Sequence, residues 1–186
     1  MPYQDLKSYQ QSVIIHDYTA EFCGRYVDRS YKSDKSYRWN RQADQMIQAA
    51  RSGKQNITEG ASQRTSRKNE IYLIGVARAS LAELGEDYKD FLRQRDLPIW
   101  DKDNQRAKEI RGLAYRTNRT YKTYRTYLDD PEAAANCAIC LVNQATFLLD
   151  RQIKALEKQF IDEGGYTEKL RQKRLDKRKR QIPWPE

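Results

Sequence analysis

Apolar residues recur along this chain at three- and four-residue steps, the spacing of one face of an α-helix. The longest run, Trp39 to Leu92, holds two such stripes. The first reads Trp39, Ala43, Met46, Ala50, Gly53, Ile57; the second reads Leu73, Ile74, Ala77, Leu81, Leu84, Tyr88, Phe91, Leu92. Between them lie Asn56-Ile57-Thr58-Glu59-Gly60 and the polar run Ala61 to Ser66, which predict a helical hairpin with a marked corner. Gly60 suits the position just past a helix end, where a left-handed backbone favours glycine. Thr65 or Ser66 suits the cap of the next helix. Asn56 and Glu59 fall in the last turn before the corner. Glu59 opposes the helix dipole there, and so asks for a partner among Arg64, Arg67 and Lys68. The small residues Ala43, Ala50 and Gly53 predict a close approach of the neighbouring helix.

The same periodicity extends to both sides. Leu6, Tyr9, Val13, His16, Ala20, Cys23 and Val27 predict a first helix from about Gln4 to Val27. After a polar connector over Arg29 to Lys35, helix two begins near Ser36, and helix three runs from about Arg67 to Arg95. Leu97-Pro98-Ile99-Trp100 ends it, and a short helix follows from about Asp103 to Leu113. Helix four opens with Asp130 as cap, Pro131 in the first turn and Glu132 on the dipole. It reaches about Ile161 and stops at Gly164-Gly165. From Cys137 to Val142 this helix is apolar on every side, which predicts that it is central or covered by another subunit. The pattern therefore predicts an all-α fold. It is an antiparallel up-down four-helix bundle over residues 1–163, with an inserted helical segment at about 98–130 and a basic C-terminal extension at 164–186.

Inside that insertion, Tyr115 to Tyr127 is a triplet repeat: Tyr115-Arg116-Thr117, Asn118-Arg119-Thr120, Tyr121-Lys122-Thr123, Tyr124-Arg125-Thr126. A three-residue step walks around an α-helix by about 60° per triplet, spreading bases and rings over half its surface. No acid occurs between Arg111 and Leu128. Two readings stand side by side. Arg111, Arg116, Arg119, Lys122 and Arg125 meet phosphates while Tyr121 and Tyr124 stack on bases; or the tyrosines pack on the bundle and the bases face outward.

Charge sharpens the first reading. The net charge is +9, and residues 164–186 supply +5 of it, with eight Lys/Arg against three Asp/Glu. Lys173, Arg174, Lys177, Arg178, Lys179 and Arg180 crowd this tail, which is expected to become helical on binding. Trp184, between Pro183 and Pro185, is a candidate docking anchor. Such a balance suits a polyanion, although a solvated surface rich in both signs has the same totals.

Candidate chemistry is sparse. The single histidine, His16, sits on an apolar stripe and reads as a half-buried group bonded to a neighbouring helix. Glu83, Glu86, Asp87 and Asp90 lie beside Lys89, Arg93 and Arg95 and read as a solvated face with local ion pairs; paired carboxylates also suggest acid–base or di-metal chemistry, but a di-iron bundle needs Glu-x-x-His motifs, which one histidine excludes. Cys137-Ala138-Ile139-Cys140 has redox spacing without the strand that precedes redox helices, so both cysteines read as small core residues. Three cysteines give no disulfide framework and suggest a reducing compartment. The N-terminus lacks a signal-peptide core, and no stretch approaches the roughly 18 apolar residues of a membrane span. A soluble cytoplasmic protein without metal or cofactor is expected. No nucleophile–base pair or phosphate loop points to an enzyme.

Several segments resemble a known family, the small bacterial four-helix bundle proteins first noticed in intervening sequences of 23S ribosomal RNA genes. Tyr3-Gln4-Asp5-Leu6-Lys7-Ser8-Tyr9 looks like the family's opening. Ala49-Ala50-Arg51-Ser52 through Asn56-Ile57-Thr58-Glu59-Gly60 is similar to its most specific motif. Ala77-Arg78-Ala79-Ser80-Leu81-Ala82-Glu83-Leu84 resembles its helix-three motif, with Ala79 where glycine is usual. The usual arginine pair before the alanines is Ile47-Gln48 here, and the usual Ile-Pro is Gly53-Lys54. Arg51 and Lys54 are then candidates for the polyanion contacts of those arginines. The resemblance implies a left-handed up-down bundle, a ring-like homopentamer, and kinship with the accessory variability determinant of diversity-generating retroelements. That relative is a basic, non-enzymatic partner of a reverse transcriptase and its RNA. The expected function is a non-enzymatic, oligomeric accessory protein that binds RNA or DNA. The alternative is a protein–protein scaffold that docks on an acidic partner.

Overall fold

The computed structural model describes residues 2–27, 36–62 and 66–181, with no side-chain detail for 36–40 and 181. The Arg29–Lys35 connector, Arg64, Thr65, Trp184 and the Trp39 side chain lie outside the described residues. The chain is all-α, with no strand among the described residues. A 3-10 turn at Tyr3–Asp5 leads into α1 (Lys7–Phe22), which runs on as a π-helical turn at Cys23–Val27. Then come α2 (Ser36–Ser62), α3 (Arg67–Arg93), α4 (Gln105–Leu113), a 3-10 helix at Tyr121–Asp129, α5 (Pro131–Glu163) and α6 (Tyr166–Gln181).

The helix ends follow from side-chain chemistry. Ser66 Oγ accepts the Asn69 N–H at 3.2 Å at the start of α3. The Asp130 carboxylate accepts the Ala133 N–H at 2.8 Å, and Pro131 takes the first position of α5, where no N–H is needed. Asn104 caps α4 by accepting from Arg106 N–H at 2.9 Å. Gly164 ends α5 with φ of 69°, a left-handed backbone that glycine adopts without cost.

Pairs of contacts fix how the long helices lie. Ser8 Oγ donates to Gln152 at 2.6 Å, Gln11 donates to the Leu141 carbonyl at 3.2 Å, and Tyr18 donates to the Ala134 carbonyl at 3.1 Å. As residue numbers rise on α1 they fall on α5, so the two are antiparallel. Lys54 stands 3.4 Å from His16, and Cys23 Sγ lies 3.9 Å from the Ala43 carbonyl, which sets α2 antiparallel to α1. Ser52 and Ser80 share a hydrogen bond at 3.0 Å between α2 and α3. Arg78 and Asp150 pair at 2.5 Å between α3 and α5.

Between these helices lies one core. Phe22 packs edge-on against Tyr88 and Phe91, with ring centroids 4.9 and 4.8 Å away. Tyr88 is fully buried, and its hydroxyl is satisfied by donating to Thr19 Oγ1 at 2.8 Å. Small residues make the approach of α2 to α3 possible. A Cβ on Gly53 would stand 2.7 Å from Leu81 Cγ and Cδ2, so the close packing expected at Gly53 is present.

Two expectations are narrowed and two need correction. The sequence places Gly60 just past the end of α2 with a left-handed backbone. In the structure α2 continues through Gly60 to Ser62, and its φ is not positive. Glycine is needed there for space, because a Cβ would sit 3.3 Å from Leu73 Cβ and 3.4 Å from the Glu70 carbonyl. Glu59 does not take Arg67 as its partner; Arg67 bonds Glu70 at 2.6 Å instead, one turn along its own helix. Of the two settings expected for Cys137 to Val142, the structure shows the central one: all but Cys140, which is half-buried, are buried within the chain, and α4 and the 3-10 helix both pack on α5. Finally, α5 contains a window long and apolar enough to cross a membrane by length and composition, although 61% of it is buried inside the protein.

Candidate nucleic-acid interface

The inserted segment is anchored on α5. The Trp100 N–H donates to Asn136 Oδ1 at 2.8 Å, and its indole N–H donates to Glu132 at 2.7 Å. Asn136, itself buried, returns a hydrogen bond to the Pro98 carbonyl at 2.9 Å. Arg106 lies over the Trp100 ring, 4.5 Å from its centroid. Ala107 and Ile110 of α4 are buried.

The triplet repeat then meets a helix whose period equals its own. A 3-10 helix has three residues per turn, so residues three apart eclipse. Tyr121, Tyr124 and Tyr127 therefore share one side of the Tyr121–Asp129 helix. That side faces inward: Tyr124 is fully buried, while Tyr121 and Tyr127 pack half-buried against the core. Stacking of Tyr124 on a base is thus overturned, because its ring is fully buried, whereas Tyr121 keeps part of its surface open. Lys122 and Arg125 occupy exposed positions on this helix, and Arg116 is exposed in the turn before it. From Tyr121 on, the second of the two sequence readings, tyrosines in and bases out, describes this segment; before it, Tyr115 is exposed and Arg119 is turned toward α1.

Not all of those bases are available. The Arg119 guanidinium donates to Gln11 Oε1 at 3.0 Å and to the Tyr124 hydroxyl at 3.2 Å, so it clamps the segment to α1. Arg111, half-buried, donates to the Lys102 carbonyl. Arg125 lies 3.8 Å from Glu21, which also holds Arg25 at 2.6 Å. Acids thus dilute this patch, and Arg116 and Lys122 are its most open charges.

The hairpin residues have structural surroundings. Asn56 donates to the Ser52 carbonyl at 2.9 Å, one turn back on α2. Lys54 approaches His16 Nδ1, which also lies 3.2 Å from Asp17 Oδ1. That nitrogen accepts from Lys54 when bare and donates to Asp17 when protonated, one partner at a time. The partner expected for His16 on a neighbouring helix is Lys54, bonded in the tautomer whose Nδ1 is bare. Arg51 and Glu59 are exposed on α2.

The cysteines are poorly suited to redox work. Burial pushes the Cys137 thiol far up, and it pushes Cys140 up as well, with Arg111 opposing. A thiolate is the reactive form, so both thiols are held inert.

The strongest concentration of charge is α6. Tyr166–Gln181 carries eight Lys/Arg against Glu168 and Asp176, and its residues through Arg180 are exposed. Lys173, Arg174, Lys177, Arg178, Lys179 and Arg180 all stand on it. So do Lys169 and Arg171, which the sequence reading did not single out. Their signal was helical spacing, since Lys169, Lys173, Lys177 and Arg180 recur at steps of four and three. Lys169 ties back to Glu163 at 2.9 Å and draws that carboxyl below its ordinary range. The structure does not merge α6 with the inserted segment. The 3-10 helix leads into Pro131 while α6 leaves beyond Glu163, and the 33 residues of α5 between them span about 50 Å.

Among the described residues, no three His, Cys, Asp or Glu side chains converge as a metal site. No family model, curated protein or solved structure matches this chain.

Proposed function

We propose that this protein is a non-enzymatic accessory protein that binds nucleic acid through α6. One observation carries the reading: α6 holds eight bases against two acids and buries none of its described side chains. A helix that packs nothing gains nothing from the fold, and its like charges repel one another. A polyanion removes that repulsion and releases counterions, the main source of affinity in such complexes. Arg116, Lys122 and Arg51 are further exposed bases for secondary contacts. The antiparallel contacts among α1, α2, α3 and α5 support an up-down four-helix bundle as the platform. The motifs around Asn56 to Gly60 support kinship with the small bacterial bundle proteins. From that kinship come a homopentamer and a reverse-transcriptase partner as parts of the same reading.

Titration of the full chain with labelled RNA and DNA at low salt tests it. Binding is expected to fall steeply as salt rises. A variant with the eight α6 bases changed to glutamine is expected to lose it. Undetectable binding at low salt, or binding indifferent to those eight changes, sinks the proposal. Mass in solution, with and without nucleic acid, tests the oligomer.

A further inference from the structure

The start of the triplet repeat is the part that the core leaves unused. Tyr115 is 91% exposed, more than any other large apolar side chain among the described residues. No described ring or cation stands over it, whereas Phe147 has Arg151 at 5.9 Å from its centroid. The backbone that carries Tyr115 is nevertheless fixed on both sides. Leu113, at the end of α4, packs against the core. The Tyr115 N–H donates to the Gly112 carbonyl at 3.3 Å, and the Arg116 N–H donates to the Leu113 carbonyl at 3.1 Å. Asn118 has φ of 54°, a left-handed backbone that asparagine adopts more readily than most residues. Thr120 and Thr123 then cap the 3-10 helix reciprocally, with the Thr120 N–H donating to Thr123 Oγ1 at 3.2 Å.

Around this ring the segment's charge has one sign. Arg116 follows it directly, and Lys122 stands on the first turn of the 3-10 helix; both are exposed. Among the described residues, neither side chain has an ion pair or a hydrogen-bond partner. No acid occurs between Arg111 and Leu128, so an anion at this turn meets no carboxylate of the segment itself.

An exposed ring by itself is ordinary. A fixed ring beside two unpaired bases is the combination that single-stranded nucleic acid uses, with a base flat on the ring and phosphates on the cations. A duplex keeps its base faces inside its own stack, and freeing one costs unstacking energy. Carboxylates of a protein partner would meet Arg116 and Lys122 but would leave the ring without a flat neighbour. Resting on the proposed function, we infer that the turn at Tyr115–Asn118 is a second contact site, for single-stranded nucleic acid. One base stacks on Tyr115, and the adjoining phosphates meet Arg116 and Lys122. These contacts leave the 2′-hydroxyl unread, so RNA and DNA strands bind alike.

Arg119 grips Gln11, which is bonded to Leu141, and from Leu141 to Gly164 α5 measures about 35 Å. The test therefore uses strands long enough to reach both α6 and the turn. Single-stranded RNA, single-stranded DNA and duplex DNA of one length are each titrated with the full chain. Tyr115→Ala is expected to weaken both single strands about fivefold or more, the loss that one stacked base carries. Tyr115→Leu is expected to match it, because an aliphatic chain has no flat face. Tyr115→Phe is expected to bind like the parent chain. Duplex affinity is expected to stay unchanged in all three. Arg116→Gln/Lys122→Gln is expected to lower the single-strand salt slope by about 1.4, the share of two phosphate contacts. Circular dichroism checks that each variant stays folded, as expected for changes at exposed positions. Single-strand affinity indifferent to Tyr115→Ala overturns the inference and leaves the proposed function standing. So does an equal loss on duplex DNA, a loss confined to one of the two strand types, a Tyr115→Phe chain as weak as Tyr115→Ala, or a salt slope untouched by the double charge change. Failure of all three nucleic acids to bind at low salt overturns both.

Discussion

Arg119 of the inserted segment donates to Gln11 Oε1 of α1 at 3.0 Å, and Gln11 in turn donates to the Leu141 carbonyl of α5 at 3.2 Å. Gln11 is buried, so the arginine completes a polar link at the meeting of three elements. Hydrogen bonds to charged groups contribute about 1.5–3 kcal/mol. Arg119→Ala is therefore expected to lower stability by about that much, read from the denaturant midpoint, and to leave DNA affinity within about twofold. A large loss of affinity with an unchanged midpoint would return Arg119 to the phosphate-binding set.

Tyr124 gives a companion prediction with a different signature. Its ring is fully buried and its hydroxyl accepts from Arg119 at 3.2 Å. Tyr124→Phe removes only that bond to a charged donor, a loss of about 1.5–3 kcal/mol. Tyr124→Ala also opens a cavity, with a loss of about 3–5 kcal/mol by analogy with other large aromatic truncations. Thermal unfolding separates the two. Neither is expected to change the salt slope of nucleic-acid binding.

Much of the fold was legible because caps and stripes are local. Ser66, Asp130-Pro131 and Gly164 announce helix ends through groups within a few residues, and the structure agrees at each. The triplet repeat misled because its period was read against an α-helix. Three-residue spacing scatters tyrosines around 3.6 residues per turn but aligns them at three. Only the surface of α5 that needed covering decides between the two conformations, and that surface is remote in sequence. Gly60 misled similarly. Glycine at a helix end and glycine under a crossing helix look the same from one strand of sequence. Its neighbours Leu73 and Glu70 had to be seen beside it. On the candidate site, the density of bases in the tail was plain.

Gly53 tests the close approach of α2 and α3. A Cβ there would stand 2.7 Å from two atoms of Leu81, which is fully buried and has little room to turn. Alanine gains about 1 kcal/mol of helix propensity over glycine. Overpacking typically costs about 1–3 kcal/mol, so Gly53→Ala is expected to be destabilising on balance. Shortening the partner should relieve the clash. In a double-mutant cycle, Gly53→Ala is expected to become harmless or stabilising in a Leu81→Ala background. Additive effects would mean that the two side chains do not compete for the same space.

Asp87 offers a test by pH. Partial burial raises its carboxyl above the ordinary value of 3.8, and the charges of Asp90 and Glu83 raise it further. An acid with a raised pKa holds its proton more tightly folded than unfolded. Stability from this group is therefore full below the unfolded value and is lost as pH rises through the folded one. Asp87→Asn is expected to raise the melting temperature at pH 7, with about 0.2–0.5 kcal/mol from each like-charge pair relieved. The gain should fade as the pH falls below 3.8. A gain that grows on acidification would show that Asp87 is stabilised as the anion.

The junction of α5 and α6 can be tested apart from the charges. Gly164 has φ of 69° and ψ of 174°, a region open almost only to glycine. Forcing alanine into it costs about 1–3 kcal/mol. The atom nearest to a new Cβ is Glu168 Oε2, the free end of a flexible side chain, so backbone strain dominates over collision. No packing holds α6 in place, because it buries none of its described residues. The chain therefore escapes the strain by moving α6 rather than by unfolding α1 to α5. Gly164→Ala is expected to join α5 and α6 into one straight helix. Spin labels on Lys154→Cys and Gln172→Cys, in a Cys140→Ser background, would then sit about 27 Å apart along the axis. The melting temperature of the body and the salt slope of DNA binding are expected to stay the same, since no charge is altered. A label distance identical to that of the chain with Gly164 would show that something other than the glycine sets the bend.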